Sequence, residues 1–480
     1  MESFYFWDSE VWGIITLVAV LLITMLVANI LKKSISFLRK SLIPTSVLGG
    51  LILFIISAVY ESIAKTPLFD ATLFGKNGSG VLEIITYHAL ALGFIATTLK
   101  TTEKKFTKKR TGEIFNTGVT TVATYLVQAV VGLGLTILFA GFVMPQLFPA
   151  SGVLLPFGYG QGTGQALNWG TTYENDYGFV GGASFGLTIA ALGFLSASIG
   201  GVIHLNVLKK KGRIIISNEN AEKLSGIDVQ ADNEIPMNGS IDKLTVQIAL
   251  VALAYIMTFF VMLGLGKLLP GMKSVIYGFN FLFGVLCASL IKLIAKLLHK
   301  KNVIKKYHRN NFLLDRVSNT CFDVMVVAGI AAIRLKVIGD YWAILLILGV
   351  VGAFITYFYN YFIAKKFFPE YAEEQFLMMY GMLTGTASTG MILLREIDGE
   401  FKTPVADNLV YQNFPAIVFG FPLMLLANLA PKDPLLTLGI LFAFLVVMNI
   451  ILFRNQIFRG KKLPATELAL AGENDKKSEE

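Results

Sequence analysis

Long apolar runs alternate with short polar stretches along most of the chain. Runs long enough to cross about 30 Å of hydrocarbon fall near 11–31, 44–60, 81–99, 114–140 and 180–208, then near 243–266, 275–296, 317–335, 341–364, 408–428 and 435–453. The pattern predicts an all-α polytopic membrane protein with about 11 full crossings. Two stretches, 142–170 and 371–396, do not read as simple crossings. Each is interrupted by glycine and hydroxyl residues: Gly158-Tyr-Gly-Gln-Gly-Thr-Gly-Gln165 in the first, Gly381-Met-Leu-Thr-Gly-Thr-Ala-Ser-Thr-Gly390 in the second. Such runs break a helix and free backbone N–H and C=O groups. At membrane depth those groups are tolerated only where protein or a water-filled cavity covers them. A matched pair of interruptions points to the binding site of a secondary transporter.

The charges between the runs assign sides. Basic residues cluster at Lys32, Lys33, Arg39 and Lys40, from Lys100 to Arg110, from Lys209 to Arg213, from Lys300 to Arg309, and from Arg454 to Lys462. Cytoplasmic loops carry such excess, which puts the N-terminus outside and the C-terminus inside. Segment 142–170 then enters and leaves on the outer face, and segment 371–396 on the inner face. Two re-entrant hairpins from opposite sides are what an inverted-topology repeat requires. The expected division is a first repeat over 1–208, a cytoplasmic linker over 209–242, a second repeat over 243–430, an extra helix within 431–462 and a disordered tail over 463–480. A short echo supports the repeat: Thr163-Gly-Gln-Ala-Leu167 parallels Thr389-Gly-Met-Ile-Leu393.

Composition agrees with a bilayer as solvent. Hydrophobic residues make up 54% of 480 and charged residues 15%, and the mean hydropathy is +0.64, whereas soluble domains carry about 25% charged residues. The net charge of +9 resides in loops and is not a nucleic-acid signature. The first apolar run lacks a basic leader and reads as a retained helix. Cys287 and Cys321 lie in or beside apolar segments and read as small core residues. No Ser-His-Asp arrangement, Walker loop or kinase motif is present, and the histidines do not gather into a metal site. The chain therefore reads as neither an enzyme nor a cofactor protein.

The candidate chemistry sits at the interruptions. Half-helix N-termini can bind a carboxylate, and freed carbonyls and hydroxyls can coordinate Na⁺. Candidate substrate ligands are Gln161, Gly162, Thr163, Gly164, Gln165, Thr386, Ser388 and Thr389. Arg395 reads either as a carboxylate clamp or as a positive-inside anchor. Candidate cation ligands are Thr384, Gly385, Asn319, Asp323 and Asn413. Asn319 and Asp323 share a helix face; an intramembrane carboxylate is costly, and the alternative places Asp323 at a helix start near the inner surface. Asn408, Gln412 and Asn413 either line the cavity or bond neighbouring helices.

These residues resemble the bacterial sodium/glutamate symporter family. The resemblance runs from about residue 30 to about 430. It rests on Ser34-Ile-Ser-Phe-Leu-Arg-Lys-Ser-Leu-Ile-Pro-Thr-Ser-Val-Leu-Gly-Gly50, Gly160-Gln-Gly-Thr-Gly-Gln-Ala166, Tyr177-Gly-Phe179 and Thr384-Gly-Thr-Ala-Ser-Thr-Gly390. The family commonly has His where Gln161 stands, and often Pro where Gly390 stands. The resemblance implies Na⁺-coupled glutamate uptake across the cytoplasmic membrane, an elevator-like movement of the hairpins against a scaffold, and a homodimer. Rival readings are a citrate-like or other dicarboxylate carrier, a proton-coupled carrier, the membrane subunit of a Na⁺-pumping decarboxylase, and a passive channel.

Overall fold

The computed structural model describes Tyr5 and residues 8–100, 107–212, 241–301, 310–399 and 402–458. Most of the expected linker, the expected tail and parts of four basic clusters lie outside these residues. The long helices are α1 (Ser9–Ser34), α2 (Thr45–Ala64), α3 (Gly78–Leu99), α4 (Lys108–Phe142), α5 (Thr163–Tyr177), α6 (Gly182–Lys210), α7 (Lys243–Leu268), α8 (Asn280–Lys300), α9 (Asn311–Ala331) and α10 (Leu335–Phe367). They continue as α11 (Ala372–Thr384), α12 (Ala387–Arg395), α13 (Val405–Tyr411), α14 (Asn413–Leu429) and α15 (Pro434–Phe458). No strand occurs among the described residues. Side-chain caps start several helices where a polar residue precedes an apolar run: Thr107 accepts from Arg110 N at 3.3 Å, Asp242 from Thr245 N at 3.0 Å and Asn310 from Leu313 N at 3.1 Å.

Among the described residues, 9 helices are long and apolar enough to cross a membrane, against the eleven crossings expected. Two runs account for the difference. The run at 408–428 divides into α13 and α14, which bend by 49°. The run at 317–335 belongs to α9, whose Asp315, Arg316 and Asp323 make it too polar to pass on composition. Its 21 residues still span about 32 Å, and it is sandwiched between α2 and α3. Arg316 and Asp323 lie on the face that α2 and α3 leave exposed, a face too polar to stand against hydrocarbon.

The helices form two groups. One holds α1, α2, α3, α7, α8 and α9; the other holds α4, α5, α6 and α10 through α15. Each draws on both halves of the sequence, and the pairings echo each other. α1 packs on α2 as α7 packs on α8, α2 meets α9 as α8 meets α3, and α10 meets α6 as α4 meets α14. Leucine, isoleucine and phenylalanine stand exposed along α1, α7, α10 and α15, for example Ile23, Leu26, Phe260, Phe354, Phe358 and Phe442, as faces solvated by lipid do. The largest fully buried side chains, including Tyr159, Tyr380, Phe157, Phe185 and Phe376, surround the two interrupted segments.

Both interrupted segments are hairpins with a break at the tip. The first descends as a 3-10 turn (Pro149–Val153) and a wide π turn (Pro156–Gly160), breaks at Gln161-Gly162 and returns as α5. The second descends as α11, breaks at Gly385-Thr386 and returns as α12. Aligning the two by their N-caps, Gly162 and Thr386, pairs Thr163 with Ala387. The echo expected between Thr163 and Thr389 is thus out of register by two residues. Gly381 and Gly390 also differ from expectation: they lie inside α11 and α12 rather than at the break. A Cβ on Gly381 would stand 2.8 Å from Gly390 Cα, so the pair is the close crossing of the two arms. Replacing Gly381 by Val should wedge these arms apart and destabilise the protein by about 1–3 kcal/mol, read as a lower Tm in detergent; an unchanged Tm contradicts the close crossing.

Candidate functional site

The two tips meet. Gly162 adopts φ +80° and ψ −171°, a region open in practice only to glycine. A Cβ there would sit 3.5 Å from Thr386 Cγ2 and 3.6 Å from the Gly385 carbonyl oxygen. The first tip therefore rests on the second, and the N-terminal ends of α5 and α12 converge on one region. α12 is capped by its own Thr386, which accepts from Thr389 N at 3.4 Å. α5 has glycine at its cap and no side-chain acceptor, so its first-turn N–H groups are presented to the tip region.

The hairpins are held at opposite ends of the molecule. At the first hairpin's base, Tyr177 Oη donates to Asn428 Oδ1 at 2.9 Å, and Glu174 accepts from Ala183 N at 3.1 Å. Arg334 joins Glu83 at 3.2 Å and Glu174 at 3.8 Å, linking α3 to α5 at that end. At the second hairpin's base, Glu373 receives Lys365 Nζ at 2.5 Å and pairs with buried His204 at 2.9 Å. Lys109 reaches Glu370 at 2.9 Å. A single post, Ser196 of α6, serves both descending arms: Tyr159 Oη pairs with its hydroxyl at 2.9 Å, and Tyr380 Oη donates to its carbonyl at 3.0 Å.

A polar ladder along α4 follows the second hairpin from base to tip. Arg110 donates to Asn408 (3.0 Å), Asn408 to Gln375 (3.1 Å) and Gln375 to Thr117 (3.2 Å). Thr121 then donates to Gln412 (2.8 Å) and Thr124 to Asn360 (3.3 Å). Gln128 ends the series, donating to Thr356 Oγ1 at 2.8 Å and to the Leu383 carbonyl at 2.9 Å. Leu383 lies one turn or less from the break, where helix carbonyls lose their partners. Asn413 belongs to this ladder, accepting from Gln412 Nε2 at 3.3 Å. Asn408 and Gln412 thus bond neighbouring elements, whereas the bond of Asn413 is to the adjacent Gln412.

Among the other candidates, Thr163 and Gly164 pack on α9. Thr163 Oγ1 donates to the Met325 carbonyl at 3.5 Å, and a Cβ on Gly164 would fall 2.9 Å from Met325 Sδ. Gln161 is half-buried at the tip. Gln165, in the first turn of α5, is fully buried, and neither its Nε2 nor its Oε1 finds a hydrogen-bond partner among the described residues. Thr384 ends α11 with its hydroxyl donating to the Tyr380 carbonyl at 2.6 Å. Thr389 is buried behind Thr386, the two hydroxyls 3.3 Å apart. Arg395 closes α12, whose 9 residues carry it about 13 Å from the tip, near the end where Glu396 faces Lys32.

A narrow cleft of about 10 Å³ opens beside the tips, lined by Ser46, Phe194, Phe322, Asp323, Thr386 and Ser388, among others; that is room for about one water. Asp323, Thr386 and Ser388 are brought together here, joined by Ser46. Asp323 is not at a helix start. It lies about 18 Å from the start of α9 and about 12 Å from its end. Arg316, Asn319, Thr320 and Asp323 are exposed on one face of α9. A face of this polarity is costly against hydrocarbon and belongs to water. Asn319 stands on this approach, one turn from Asp323, and does not line the cleft.

The sequence reading missed Ser46, Gln128, Ser196 and the two tyrosines. Gln128 had a signal: Thr117, Thr121, Thr124 and Gln128 recur at helical spacing inside an apolar run. Ser46 follows Ile43-Pro44 in the segment that carries the family resemblance. Tyr159 lies within the first glycine-rich run; Ser196 and Tyr380 had no signal, since each looks like an ordinary core residue.

A scan against protein-family models finds no match to this chain, and a search of curated proteins finds none either.

Two buried amides should behave oppositely. Gln128→Leu strips the Leu383 carbonyl of its donor and should cost about 1–3 kcal/mol, seen as a lower Tm. Gln165→Leu removes an amide without protein partners. It should leave Tm unchanged or raise it by about 1 kcal/mol equivalent, while weakening solute uptake if that amide serves the cargo.

Proposed function

We propose that this chain is a Na⁺-coupled symporter of the cytoplasmic membrane that imports glutamate or a related acidic amino acid. The observation that carries the reading is the meeting of two broken helices, Gly162 against Gly385 and Thr386, from hairpins based at opposite ends of the molecule. Broken helices in corresponding places in two halves are the hallmark of transporter binding sites, with positive helix ends facing an anionic group and freed carbonyls and hydroxyls facing a cation. The α5 and α12 N-termini are suited to a carboxylate. The tip hydroxyls and Asp323 are suited to the cation. The resemblance to the sodium/glutamate symporter family supplies the cargo.

The echoing pairings in both helix groups support an inverted repeat, and the separation of hairpin group from the α1–α3 and α7–α9 group supports an elevator-like movement between them. In this reading the conformation is closed at the Arg334 end and open along the polar face of α9, which the loop charges assign to the cytoplasm. A cleft of about 10 Å³ is too small for an amino acid, so cargo binding requires the tips to part. A homodimer follows from the resemblance.

In proteoliposomes, an inward Na⁺ gradient should drive accumulation of radiolabelled glutamate above its outside concentration, and equal Na⁺ on both sides should not. Equal uptake under both conditions defeats the coupling, and accumulation driven by a proton gradient alone reassigns it. A competitor panel of amino acids and dicarboxylates reads the cargo: suppression by citrate or succinate but not by aspartate overturns the amino-acid assignment.

A further inference from the structure

We infer that Asp323, together with the hydroxyls of Ser46, Thr386 and Ser388, forms a binding site for one Na⁺ that fastens the second hairpin tip to α2 and α9. The inference deepens the transport reading above and rests on it only for the consequence of binding, not for the binding itself.

Three elements supply these oxygens to one cleft: Ser46 from the first turn of α2, Asp323 from the middle of α9, and Thr386 and Ser388 from the break and first turn of α12. The carboxylate faces the Ser46 hydroxyl. No lysine or arginine lines the cleft, so the carboxylate has no cationic side chain there to neutralise it. Apolar walls on its inner side take the carboxylate partly out of water, and an unneutralised carboxylate so placed is costly. A bound monovalent cation cancels its single charge and leaves the site neutral.

The ligand types select the ion. Carboxylate and hydroxyl oxygens are hard donors suited to alkali and alkaline-earth ions rather than to transition metals. Ca²⁺ takes 6–8 oxygens and draws on several carboxylates, whereas this cleft holds one carboxylate. No group of three or more His, Cys, Asp and Glu side chains able to hold a metal occurs among the described residues. The cleft's room for about one water fits a small ion that has shed most of its hydration. Phe194, Phe322, Val47 and Val326 close the remaining walls and keep competing water out. Asp323 and Ser388 remain exposed at the mouth, which gives the ion a way in.

The site also has a route to the cargo. Thr386 has two contacts: it lines the cleft, with its hydroxyl at the start of α12, while its methyl lies against Gly162 of the other tip. An ion that fixes Thr386 therefore fixes the contact between the two helix N-termini. Coupling of this kind is reciprocal: the ion raises cargo affinity by the factor that cargo raises ion affinity.

The test is Na⁺ binding to the purified full-length protein, without transport. Tm is measured against rising NaCl, with choline chloride holding ionic strength constant, and ²²Na⁺ binding is measured by scintillation proximity. The wild type should show a saturable rise in Tm and saturable ²²Na⁺ binding. Asp323→Asn should lose both while folding normally, because the neutral amide needs no counter-ion. Ser388→Ala, at the exposed mouth, should weaken Na⁺ affinity about tenfold, the scale of one lost contact to a charged group, and serves alone if the Asp323 variant does not fold. A Na⁺ response retained in full by Asp323→Asn, or by Ser388→Ala where only that variant folds, overturns the site. So does a wild type that ignores Na⁺ and instead gains stability on acidification in a manner that Asp323→Asn abolishes, since that makes Asp323 a proton site. Na⁺ binding that depends on Asp323 without Na⁺-driven uptake leaves the site standing and removes the symport; Na⁺-driven uptake with Na⁺ binding indifferent to Asp323 does the reverse.

Discussion

A backbone N–H or C=O without a partner cannot be left facing hydrocarbon, and this single constraint organises the centre of the molecule. Two helical segments are broken inside the molecule, and every group released by the breaks has to be covered by protein or by water. The cover is mutual: Gly162 lies on Gly385 and Thr386. Gln128 reaches from α4 to the Leu383 carbonyl, and Thr386 turns back to the Thr389 N–H. The rest of the second group of helices follows from holding those pieces in place. α6, whose membrane-crossing stretch is the most buried of the nine, runs between the arms because both need a wall of small residues. Gly186 and Gly193 stand against Ala166 and the Thr384 carbonyl.

Much of this was legible from residue order alone. Glycine alternating with amides and hydroxyls marked both breaks. What stayed hidden has physical causes. A glycine that breaks a helix and one that lets two helices touch are the same letter, so Gly381 and Gly390 looked like breakers while they serve as a crossing. Eleven apolar runs did not become eleven uniform spans, because the polarity a helix tolerates depends on what surrounds it, and α9 packs between α2 and α3 while its charged face stays exposed. Asp323 was visible as an anomaly, but its companions were not. Ser46 is 277 positions away in the chain, the difference of the two residue numbers, and only the fold brings them to one cleft.

The polar ladder on α4 shows how a membrane protein fixes a mobile-looking segment without a hydrophobic driving force. Interhelical hydrogen bonds in this setting average only about 0.6 kcal/mol each, so no rung is decisive, yet the rungs recur at helical spacing and grip the second hairpin along its length. The first hairpin combines hydrogen bonds to several helices, such as Tyr173 Oη to the Ala427 carbonyl at 2.7 Å, with stacking inside the segment, Phe157 on Trp169 with centroids 5.3 Å apart and Phe148 on Phe179 at 5.0 Å.

Ser196 has a wider meaning than its two hydrogen bonds. Tyr159 and Tyr380 come from hairpins that are remote in sequence and based at opposite ends, yet both are tied to one residue of one helix. A displacement of either arm pulls on the other through that point. The two arms are thereby joined to each other through a single residue of α6.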